Sequence, residues 1–155
     1  MRKRPNIAGL VGKAAVVLVL IGGDAVIGEG MLRTEPSNPV NLNFSGSLDV
    51  IEPATLSPLA VAGKALFGAN CAVCHGPKAN GTDHGPPFVN DIYQPGHHPD
   101  EAFHYAAKNG VPSHHWRFGN MPPVEGVSDA DVTAIVRYIR ELQEANGIRY
   151  HPHVM

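Results

Sequence analysis

The chain has 155 residues, a formal charge of −2, 43% hydrophobic and 17% charged residues, and only two cysteines. That length fits about one compact domain, and the composition is that of a folded protein rather than a disordered one. The near-neutral charge and the lack of a Gly-rich phosphate loop or dense basic run argue against a nucleic-acid partner, and two cysteines cannot make a multi-disulfide scaffold.

The N-terminus begins with Arg2, Lys3 and Arg4 and reaches an apolar stretch from Ala14 to Gly23. A basic start before a short apolar run is the pattern of a secretory signal, with Gly23 and Ala25 as small residues near a cleavage point. The 21 residues from Ile7 to Ile27 would also reach across a bilayer as an uncleaved anchor. Residues 1–27 therefore read as a signal peptide or membrane anchor, and either puts the remainder on the outer, periplasmic side. Residues 28–57 read as an extended linker, packed along the domain or acting as a tether, because Pro36, Pro39 and Pro53 interrupt it and no period lasts.

The domain proper is expected over 58–147, with a histidine-containing tail at 148–155. Three helices are readable. The first spans about Leu59 to Ala69, after Pro58. The second has Pro99 at its first turn, Asp100 and Glu101 at its positive end, and Gly110 as its stop. The third starts at Ser128, with Asp131 three residues on as a capping box, carries Val132, Ile135, Val136, Ile139 and Leu142 at helical spacing, and ends at Gly147. No strand pattern is as strong, so the fold class is all-α.

The chemistry sits in Cys71-Ala72-Val73-Cys74-His75. Two thiols two residues apart match the spacing of the two haem vinyl groups, to which they add as thioethers, and the next residue supplies an axial imidazole to the iron. A thioredoxin-like pair would need a βαβ setting, and a zinc site of two cysteine pairs would need a second such pair. Neither is evident. The cofactor implied is one covalent haem c.

Around this motif the chain resembles the class I monohaem cytochromes c, over roughly Pro58 to Asn146. The resemblance rests on Gly63-Lys64-Ala65-Leu66-Phe67 ahead of the motif, on Cys71 to Gly76, on Gly85-Pro86-Pro87-Phe88, and on Asn120-Met121-Pro122-Pro123 before a helix containing Tyr138. It implies a cytochrome c fold of three to five short helices around the haem. It implies Met121 as the second axial ligand, a soft thioether that raises the reduction potential relative to a second imidazole. It further implies that the Pro86 carbonyl accepts the Nδ1 proton of His75, that Pro87 and Phe88 pack on the haem edge, and that Gly63 lets the first helix approach the last near Tyr138. His114 and His115 are rival distal ligands. Trp116 and Arg117 are candidate donors to a haem propionate.

The reading is a single-electron carrier, not an enzyme. A haem subunit of a larger oxidoreductase and an open-site haem enzyme or sensor are the alternatives. Between Pro58 and Asn146 six basic residues face nine acidic ones, so redox protein partners are expected to dock weakly at the haem edge rather than through strong charge steering. Nine histidines are many for this length. Imidazoles bind copper and zinc well, so a secondary metal site or a copper-enzyme partner stands beside the plain reading of solvated loop residues.

Overall fold

The computed structural model describes residues 47–152; the leader or anchor, most of the linker, and His153 lie outside them. Helix α1 is Pro58–Asn70. Its start follows from Ser57, whose hydroxyl accepts the Ala60 amide while Pro58 gives up an N–H that would have had no partner. Cys71 closes it, and the chain turns directly into a single-turn helix, α2, Ala72–His75. A 3₁₀ turn at Asp91–Tyr93 precedes α3, Asp100–Asn109. Here Pro99 is the cap and not the first helical residue, and Gly110 ends the helix with φ of 72°. Helix α4, Asp129–Ala145, opens on the Ser128–Asp131 capping box. Among the described residues there is no strand, only an isolated antiparallel bridge between Val111 and Met121. The fold is all-α. No helix among these residues is long and apolar enough to cross a membrane.

The core forms where α1 crosses α4. Ala60 and Phe67 from α1 meet Ile135, Tyr138, Ile139 and Leu142 from α4, and the Phe67 and Tyr138 rings lie 5.7 Å apart. The crossing is closest at Gly63, where a built Cβ would stand 1.8 Å from the Ala134 carbonyl oxygen. Both flanks of the domain join this core. Val50 is buried in it, Leu48 and Leu56 pack on it, and Asn146 bonds the Ile51 backbone twice, at 3.0 and 2.8 Å. Glu52 bridges Lys64 and Lys78. Residues 47–57 are thus the packed form of the linker. At the other end Ile148 is buried in the same cluster, so the core continues one residue past Gly147.

Arg140 is a buried cation on α4. Its guanidinium donates to Asp100 at 2.8 Å, to the carbonyls of Tyr93 at 2.8 Å and His98 at 2.6 Å, and to the Gln143 amide oxygen at 2.7 Å, and it lies 5.0 Å over the Phe103 ring. It ties α3, α4 and the 3₁₀ turn together. Arg140→Ala strands these acceptors, and a loss of about 3 kcal/mol is expected, read as a lower denaturant midpoint with an unchanged slope.

Candidate haem site

The site is assembled from all four helices and the loops between them around one cavity of about 870 Å³, near the upper end of ligand-site sizes. Cys71, at the junction of α1 and α2, lines it together with Cys74 and His75 of α2. This single turn closes on its own residues: the His75 amide bonds the Cys71 carbonyl at 3.0 Å, and Gly76, at φ of 78°, stops it. The Thr82 hydroxyl holds the Cys74 carbonyl at 2.5 Å. Gly85 passes so close that a Cβ there would lie 2.8 Å from the same carbonyl oxygen.

His75 is buried, and its Nδ1 lies 2.8 Å from the Pro86 carbonyl oxygen. Burial pushes its proton affinity down, and the Pro86 carbonyl restores part of it. With Nδ1–H donating to that carbonyl, Nε2 carries a lone pair, the form an iron ligand requires. The Phe88 ring stacks on the imidazole at 4.1 Å and meets Phe67, Tyr93 and Phe103 on its other sides. Phe88 is fixed by its amide, which bonds the Ala79 carbonyl at 2.8 Å. The cysteines are unpaired, with Cys71 half-buried and Cys74 exposed. Burial, with Cys74 adding to it, raises the free Cys71 thiol to about 11.

Met121 lines the same cavity. Its amide and carbonyl each bond Val111, both at 2.9 Å, which closes residues 112–120 into a loop. Inside the loop the Ser113 amide donates to Asn120 at 2.9 Å and its hydroxyl to the Trp116 carbonyl at 2.5 Å. The backbone carrying the thioether is therefore set by hydrogen bonds on both sides. Trp116 is 8% exposed, lines the cavity and interacts with the Tyr93 side chain. Burial holds the Tyr93 proton well above the usual range, with Trp116 opposing. This pair puts polar hydrogens on a largely apolar wall. Arg117 is exposed and lies outside the cavity lining, whereas His114 and His115 are part of it. Tyr93, Phe103 and His98 also line it. Tyr93 and Phe103 did not stand out as site residues in the sequence, because the 3₁₀ turn and its neighbours carry no period, and His98 stood out only as one of an adjacent histidine pair.

The arrangement fits a haem on chemical grounds. A large apolar cavity is edged by two unpaired thiols at vinyl spacing, a neutral imidazole and a thioether. A comparison with family models gave the same answer: residues 60–143, more than half the chain, match the family described as Cytochrome c. The chain belongs to the cytochrome c family. Comparisons with curated proteins and with solved structures gave no match. As a cytochrome c the protein carries its haem covalently and works in electron transfer. The match runs from the third residue of α1, through the cavity loops, to all but the end of α4.

Proposed function

We propose that this cytochrome c is a single-electron carrier of an exported electron-transfer chain, holding one haem with His75 and Met121 as its axial ligands. The observation that carries the reading is that Cys71, Cys74, His75 and Met121 line one cavity. Bound haem iron supplies one-electron cycling between the ferric and ferrous states. The chain's own contribution is to hold both ligands still. Pro86 and Phe88 fix the His75 ring, and the Val111 bridge fixes the Met121 backbone. Little reorganisation then accompanies a change of charge. Trp116 and Tyr93 supply donors for a propionate. Val73, 79% exposed between the two cysteines, offers partners an apolar contact at the haem edge. Export rests on the basic start and the apolar run of residues 14–23.

The test is spectroscopic. The pyridine haemochrome of the purified holoprotein is expected to show two thioether links, and the ferric protein the sulfur-to-iron band at the red edge of the visible. Met121→Ala should lose that band, lower the reduction potential by part of the roughly 0.8 V range that axial ligands span, and let the ferrous protein bind carbon monoxide. Carbon monoxide binding by the unmodified ferrous protein at neutral pH would overturn the reading in favour of an open-site haem protein.

A further inference from the structure

Four histidines from two separate loops meet at the cavity wall, three of them, His98, His114 and His115, as lining residues. The ring of His97 lies 4.7 Å from that of His98 and 5.0 Å from that of His115, with His98 and His115 5.2 Å apart. The His114 ring lies tilted against that of His115 at 4.3 Å. We propose that His97, His98 and His115 form a second metal site, separate from the haem iron, that takes a late first-row divalent ion such as copper(II) or zinc(II).

The geometry supports this in three ways. First, one ring nitrogen from each of the three residues lies within 4.8 Å of the others. A tetrahedral ion with bonds of about 2.0–2.1 Å needs its nitrogens roughly 3.4 Å apart, a closure that small side-chain rotations supply. Second, the loops are fixed before any ion arrives. The amides of His97 and His98 both bond the Gln94 carbonyl, at 3.0 and 2.9 Å. The His115 loop is held by Ser113, Asn120 and the Val111–Met121 bridge. Third, His98 Nδ1 sits 2.6 Å from the Ile92 carbonyl, which sets its tautomer and leaves Nε2 as the free ligand atom, the outer contact that metal-binding histidines ordinarily make.

The electrostatics agree. Burial, then the neighbouring His114, His98 and His97, lowers His115 to about 4, and burial lowers His98 as well. Both rings are neutral at pH 7, so their lone pairs are available and they do not repel an incoming cation. All three residues are half-buried, so an ion can reach them while much of its hydration is replaced by imidazole. The absence of any carboxylate or thiolate from the group favours copper(II) over softer or harder ions.

The experiment is copper(II) titration of the haem-loaded protein by equilibrium dialysis, with electron paramagnetic resonance of the bound ion. The expected result is one copper per chain with nitrogen hyperfine structure. His97→Gln and His115→Gln should each weaken uptake at least tenfold, and His151→Gln should leave it unchanged. His151 is the right control because its backbone docks next door, its amide 3.0 Å from the Gln94 side-chain oxygen. The haem absorption spectrum and the sulfur-to-iron band, followed in the same samples, report folding and iron ligation separately, and His115→Asn replaces any variant in which they change. Equal uptake by the unmodified protein and the His97 and His115 variants, or no stoichiometric uptake, overturns the proposal.

Discussion

Replacing both Cys71 and Cys74 by alanine is expected to give a chain that keeps no haem through acidified-acetone extraction and has no cooperative thermal transition. The first outcome follows from covalent chemistry, since with no sulfur on α2 the vinyl groups have nothing to join. The second follows from the cavity. The cavity holds about 870 Å³, and its apolar lining has no packing partner when the contents are missing, whereas domains are stable by only about 5–15 kcal/mol. The side chains concerned are core residues in all but partner: Phe88 and Phe103 face the cavity, as do Ile135 and Ile139 of α4. Near-ultraviolet circular dichroism of the variant should be flat. Haem that survives extraction, or a melting transition matching that of the holoprotein, would defeat the argument.

The same cavity explains what could and could not be read from the sequence. Helix α4 was legible because its buried positions repeat at 3.6 residues and Ser128 and Asp131 mark its start. Helix α3 was legible only by its ends, Pro99 and Gly110, since none of its residues is fully buried against protein; its apolar side, Ala102, Phe103 and Ala106, turns to the cavity. Helix α2 is four residues long and has no period, so it entered the sequence only as a haem motif. Arg140 gave no signal because a cation on a helix normally faces water, and its burial depends on carbonyls at Tyr93 and His98 that only the fold brings near. The motif residues were visible as chemistry, and Met121 and Pro86 as part of a resemblance. Tyr93 and the meeting of His97, His98 and His115 were not, because loop closure, not spacing along the chain, creates those contacts.

The second large effect is expected at Gly63. Adding one methyl there puts a carbon 1.8 Å from the Ala134 carbonyl oxygen, with the Ala134 carbonyl carbon at 2.4 Å. Ordinary contact begins near 3.4 Å, and the obstruction is backbone, which cannot rotate away as a side chain would. The α1–α4 pair must therefore part by more than 1 Å at its closest point. Phe67, Tyr138, Ile139 and Leu142 are fully buried in that contact, so parting opens gaps throughout a close-packed core. Gly63→Ala is expected to destabilise the holoprotein by about 3 kcal/mol or more, visible as a lower guanidinium midpoint followed through the sulfur-to-iron band. Gly68 supplies the internal control. It lies on the exposed side of the same helix, with nothing within 4 Å of a built Cβ. Gly68→Ala should raise stability by up to about 1 kcal/mol, because alanine loses less backbone freedom in a helix. Opposite signs from the same substitution five residues apart would locate the effect in the crossing and not in helix propensity. Equal, small effects at both positions would mean that the helices do not approach there.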